Sequence, residues 1–118
     1  MIEITYLKQK QLSLLRHLKI AGEKLFKLKI HNDLSPIGWH IIHCLYVECI
    51  WIRSQFLDDN ELVNKLKDTA DAINIKPKNR GLNLPNYECL YELTRNEFKK
   101  NLVFIQSLKE KKKINYFI

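Results

Sequence analysis

The chain has 118 residues, enough for one small domain with a real but modest core. Hydrophobic residues make up 46% and charged residues 28%, the balance of a globular protein, and no apolar run reaches the ~18 residues that a membrane-spanning helix needs. The net charge of +7 invites an anionic partner, yet the lysines are scattered at helical spacing and the one dense run, Lys109 to Lys113, reads as a solvated helix end, so composition argues against nucleic acid. Met1 to Lys10 contains no apolar stretch ending in small residues, so no signal peptide is expected and the expected location is cytoplasmic. Cys44, Cys49 and Cys89 are odd in number and have no CxxC spacing, so they read as free thiols that pack as small hydrophobes.

In chain order, residues 3 to about 30 predict a first helix. Leu7, Leu14, Leu18, Ala21, Leu25 and Leu28 form its inner stripe, with Gln11 the only polar interruption. His31-Asn32-Asp33 makes a polar turn. Ser35 and Pro36 give a helix-start signal, Ser35 by accepting a free N–H of the first turn and Pro36 by lacking one. The helix that follows, about 36–57, is apolar nearly all round and should pack on more than one neighbour. Asp58-Asp59-Asn60 stops it. A short helix covers about 61–72, with Leu62, Val63, Leu66 and Ala70 inward, and residues 73–84 are irregular around Pro77 and Gly81. Pro85 and Asn86 open a last long helix to about Lys109, with Leu90, Leu93 (with Thr94), Glu97 (with Phe98), Asn101 (with Leu102), Ile105 and Leu108 as a weaker amphipathic stripe. No strand pattern competes, so the expected fold is all-α: three long helices and a short one in a single unit over 1–113, followed by an apolar tail, 114–118.

Chemistry concentrates in the second helix. His40, Cys44 and Glu48 stand at i, i+4 and i+8 and share a face, and His40 neighbours His43 at i+3. His43 and Glu48, five apart, diverge by about 140° at 100° per residue. One helix rarely supplies a whole metal site, so further ligands would have to come from a facing helix. A buried histidine is more often a hydrogen-bonded core residue than a ligand, and a buried glutamate more often joins a polar network than acts as a base. No serine stands in a nucleophile elbow, and Gly22, Gly38 and Gly81 are too isolated to cradle a phosphate.

The run Ser35-Pro36-Ile37-Gly38-Trp39-His40-Ile41-Ile42-His43, followed by Glu48 and Trp51-Ile52-Arg53, resembles the second-helix signature of the DinB-like superfamily, above all the N-terminal domain of ergothioneine-type, iron-dependent sulfoxide synthases. That pattern reads S-P-x-x-W-H/D-x-x-H with a glutamate five residues on. Arg80-Gly81-Leu82-Asn83-Leu84-Pro85 resembles the same branch's approach to its third long helix, and the likeness covers about residues 5–108. The resemblance implies an up-down four-helix bundle. It also implies a site in which one histidine of the second helix joins two from an H-x-x-x-H motif on the last helix, holding iron in the synthases and other divalent metals in relatives. His43 matches the ligand position, and His40 a position that is variably His or Asp.

The chain departs from the pattern where it matters. No histidine follows His43, so one copy cannot complete the three-histidine set. The sequence also stops about where the family's fourth helix would begin, and the large catalytic domain of the synthases has no counterpart. Three expectations follow. The first is an interaction or structural module without a complete metal site, whose missing-helix groove is covered by a second copy, another chain or the 114–118 tail. The second is a metal-binding subunit centred on His43, with His40, Cys44 and Glu48 as weaker ligands for iron, zinc or nickel, completed by another chain. The third is a basic nucleic-acid binder.

Overall fold

Three long helices and one short helix follow one another in the expected order in a computed structural model that describes residues 4–110. No strand occurs among the described residues, and the expectations for Lys111–Lys113 and for the tail 114–118 lie outside them. The first helix, α1 (Ile4–Leu25), is shorter than its periodicity suggests. Gly22 takes φ 67° and ψ −174°, a left-handed φ that a residue with a Cβ adopts only at a cost, and the Phe26 N–H closes back on the Gly22 carbonyl at 3.0 Å. Leu25 and Leu28, expected on the inner face, are therefore swung outward and lie 51% and 54% exposed. Phe26 goes inside in their place, edge-on to Tyr87 with ring centroids 5.6 Å apart.

The link from α1 docks on the start of α2 (Ile37–Cys49). The Phe26 carbonyl accepts the Gly38 N–H at 2.9 Å, and a Cβ on Gly38 would stand only 2.9 Å from that oxygen, so glycine is what permits the approach. Ser35 does not cap this helix. The helix begins one residue later than expected, Pro36 takes the cap position, and no side chain satisfies the first turn. The Pro36 carbonyl accepts the N–H groups of Trp39 and His40 at 3.1 and 3.2 Å.

The helical path continues to Leu57, as expected, but not as a uniform α-helix. Residues Ile50–Ser54 form a π-helical turn, closed by the Gln55 N–H on the Ile50 carbonyl, before a last α turn, α3 (Gln55–Leu57). Asp58, at φ 52°, ends it. Five-residue hydrogen-bond closure brings side chains five apart into register, where an α-helix brings those four apart. Within this turn Ile52 and Arg53 are both buried.

The short helix α4 (Glu61–Ala70) lies against α2 and sends Leu66 and Ala70 into the core. The last carbonyls of a helix lack intrahelical partners. Here α2 supplies them: Trp39 Nε1 donates to the Thr69 carbonyl at 2.8 Å and His43 Nδ1 to the Ala70 carbonyl at 2.7 Å. The irregular segment beyond α4 contains one 3-10 turn, Pro77–Asn79, and is pinned by Arg80. Its guanidinium donates to the carbonyls of Ile75 and Ala72 at 3.0 and 3.1 Å and lies 4.5 Å from the Trp39 ring centroid.

Asn86 caps the last helix, α5 (Tyr87–Glu110), by accepting the Cys89 N–H at 2.9 Å. Leu90, Thr94, Phe98, Asn101, Ile105 and Leu108 form its buried stripe. α5 packs on both α1 and α2, and the main core gathers Leu18, Ile41, Ile42, Leu45, Cys49, Leu90 and Phe98 between them. A smaller cluster of Ile52, Ile105 and Leu108 closes the other end. Of the three free thiols, Cys49 is a core hydrophobe, Cys44 is half-buried and Cys89 is exposed, so the expectation of buried thiols holds fully for Cys49 alone.

Candidate functional site

An apolar groove of about 630 Å³ runs along α2 and the π turn, bounded by α1 and α5. Leu7, Val47, Trp51, Ile52 and Ile105 form its walls, and its polar groups come from His43, Cys44 and Glu48. His40 is not among them. It is exposed and borders a separate hollow beside Leu25, Leu28 and Leu34. The i, i+4, i+8 alignment of His40, Cys44 and Glu48 is thus divided between two places. His43 and Glu48, which helical geometry sets apart, both border the same groove because it spans a broad arc of the helix.

Glu48 belongs to a buried polar network that ties all three long helices together. Its Oε1 accepts the Gln11 amide of α1 at 2.6 Å and the Asn101 amide of α5 at 3.0 Å. Gln11 also donates to the Phe98 carbonyl at 3.1 Å. The Asn101 Oδ1 in turn accepts Arg53 Nε at 2.7 Å, and Arg53 Nη1 reaches the Glu97 carboxylate at 2.9 Å. The Asn101 amide suits its place because it accepts from a guanidinium through its oxygen and donates to a carboxylate through its nitrogen at once. Gln11, Arg53, Asn101 and Thr94 are all buried, and no described side-chain polar atom is buried without a partner.

The second oxygen of Glu48 receives no hydrogen bond from a described residue, and the Glu48 side chain borders the groove. Burial pushes the Glu48 carboxyl up to about 7, against the opposing pull of the Asn101 and Gln11 amides and the nearby Arg53 charge. A carboxyl near 7 exchanges its proton at neutral pH and suits general acid–base work or recognition of a cation. Cys44 is pushed the other way for reactivity: burial, then the Glu48 charge, raises its thiol, so it is neither a thiolate nucleophile nor a ready metal ligand. Glu97 feels burial raising it, but Arg53 and Lys100 together outweigh that and hold it below the ordinary range.

His43 has a structural occupation. A carbonyl only accepts, so the bond to Ala70 fixes the proton on Nδ1 and leaves Nε2 as the lone-pair nitrogen of the neutral ring. The ring also stacks on Trp39, with centroids 4.8 Å apart and planes 9° apart. For His40, burial, then His43 and Arg80, depress the imidazole and favour its neutral form.

Among the described residues no three His, Cys, Asp or Glu side chains come together as a set that could hold a metal ion. The residues present therefore do not fit a self-contained metal centre. Gln11, Arg53 and Asn101 are the site residues that sequence reasoning did not single out. The signal for two of them was legible: Gln11 and Asn101 are the polar positions that interrupt otherwise apolar stripes on α1 and α5. Comparison of the chain with protein-family profiles, with curated proteins and with solved structures returns no match.

Proposed function

We propose that this chain is a DinB-like helical domain that works as a binding module, with the groove along α2 as its working surface. The observation that carries the reading is the groove itself. It lies on the helix that bears the Ser35–Arg53 run, its walls are apolar, and the Glu48 carboxylate borders it with one oxygen that no described residue bonds. Concave apolar sites with few convergent polar groups are the usual form of a ligand or partner site. The occupant expected from the sequence is a second copy or another chain, covering the face that a further bundle helix would cover. A cytoplasmic setting accords with three free thiols and with the absence, among the described residues, of a helix long and apolar enough to cross a membrane.

Val47 tests this. It lies 37% exposed on the groove wall, so Val47→Asp puts a charge there without burying one in the core. The variant is expected to keep its helical circular dichroism while losing self-association in sedimentation velocity, or losing uptake of small apolar ligands in an NMR titration. A wild-type protein that neither self-associates nor takes up any such ligand overturns the reading.

One observation favours a second reading, a metal subunit completed by another chain. The Nδ1 tether of His43 to a backbone carbonyl is the arrangement that orients metal-ligating histidines. After reconstitution with iron, zinc or nickel, this reading expects retained metal that falls away in His43→Gln, a change that keeps a side-chain donor for Ala70. Absence of metal from the reconstituted wild type excludes it.

A further inference from the structure

Five of the 20 lysines and arginines, scattered along the sequence, come together in space. A second groove, of about 530 Å³, runs between α1 and α5 on a face distinct from the α2 groove. Lys8, Arg16 and Lys19 of α1 and Arg95 and Lys99 of α5 border it, and among the described residues no acidic one does. All five cations are exposed. The floor is largely apolar and carries two aromatic residues, the buried Phe98 and the half-buried Tyr91, whose ring centroid lies 5.9 Å from the Arg95 guanidinium. Tyr87 continues the aromatic surface beyond it, 6.2 Å from Tyr91, and there Glu88 and Glu92 end the run of positive charge.

We propose that this α1–α5 groove binds single-stranded nucleic acid, its phosphates tracked by the five cations and a base stacked on Tyr91. A concave basic channel with an aromatic platform is the form that single-strand binding takes, and five cations bordering one groove of a chain of pI about 9.4 give the matching electrostatic footprint. A duplex is the poorer fit. Reading one calls for an element that projects into a groove of the nucleic acid, whereas here the cations surround a recess. From Lys8 to Lys19 the groove follows α1 for roughly 16 Å, at 1.5 Å per residue. That is long enough to engage consecutive phosphates rather than one isolated anion.

The test is fluorescence anisotropy of the full chain with labelled, mixed-sequence single-stranded DNA and RNA across a salt series. Binding is expected at low salt. Its logarithm should fall against log salt with a slope near −3.5 if all five cations meet phosphates, at about 0.7 per contact. The Arg16→Ala/Arg95→Ala pair should weaken binding and flatten that slope by about 1.4. The Lys67→Ala/Lys78→Ala pair, which removes the same charge from exposed positions away from the groove, should leave the slope unchanged. Tyr91→Leu should lower affinity at constant slope, the signature of lost stacking. No binding at low salt, an equal loss from the control pair, or tighter binding to a duplex or to phosphatidylserine vesicles than to the single strand overturns the proposal.

Discussion

Replacing Glu48 with glutamine is expected to stabilise the protein at pH 8 and to leave its stability unchanged near pH 4. The carboxyl titrates at about 7 in the fold and at its ordinary 4.5 when the chain is unfolded, a difference worth on the order of 3 kcal/mol. The sign follows from proton binding. Between those two values the folded state holds the proton more tightly than the unfolded state, so stability falls as pH rises through the window and levels off above it. Below pH 4.5 both states are protonated and Glu48 contributes no penalty. Glutamine keeps an oxygen for the Gln11 and Asn101 amides and carries no charge to desolvate, so it removes the penalty at high pH without opening a cavity. Urea unfolding at pH 8 and pH 4 measures both ends. A variant less stable than wild type at pH 8 would mean that the two amides favour the carboxylate by more than burial disfavours it.

A protein that retains such a penalty holds a carboxylate where a glutamine would fold better. In the binding-module reading proposed above, that carboxylate is a polar group the groove offers its occupant. The neighbouring groups point the same way by contrast. Burial raises the Cys44 thiol and His43 is tied through Nδ1 to the end of α4, while Glu48 borders the groove with one carboxylate oxygen that no described residue bonds.

Much of the helical outline could be read from the sequence because it depends on local pattern. The turn at Asp58-Asp59-Asn60, the irregular stretch around Pro77, the start of α5 at Asn86 and its buried stripe all rest on residues whose preferences act within a few positions. What escaped depends on distant partners. Gln11 stands out as the polar residue in the inner stripe of α1, but its partners, Glu48 37 positions away and the Phe98 carbonyl 87 away, are set only by packing. Ile50-Trp51-Ile52-Arg53-Ser54 has no proline or glycine to announce a π turn, and the bonds that hold Arg53 run to α5. Gly22 was visible as a residue but not as a left-handed one, and that conformation sent Leu25 and Leu28 outward. The basic groove shows the same limit. Each helix displays its lysines and arginines at helical spacing, and only the packing of α1 on α5 decides that five of them border one recess.

The largest loss of stability is expected from Arg53→Met. The guanidinium is 6% exposed and spends its N–H groups on the Asn101 Oδ1, the Glu97 carboxylate and the Glu97 carbonyl, the last at 3.2 Å. Methionine preserves the contact with the Phe104 ring, whose centroid lies 5.2 Å from the guanidinium carbon, so the substitution removes charge and donors more than packing. It leaves Glu97 with Lys100 as its remaining ion-pair partner, at 3.1 Å and largely in solvent, and it leaves the fully buried Asn101 carbonyl without a donor. Removing one member of a buried pair costs about 3–5 kcal/mol, because the other charge stays behind. Adding Glu97→Met should recover most of that, since the stranded carboxylate goes with it, but not all: the Asn101 oxygen remains unsatisfied, a residual cost of about 1–3 kcal/mol. Urea midpoints of the two single variants and the double variant, at unchanged slope, give the coupling energy. If Arg53→Met costs less than about 1 kcal/mol, the range of an exposed ion pair, the network does not hold the π turn to α5 and the turn is stable by its own apolar packing.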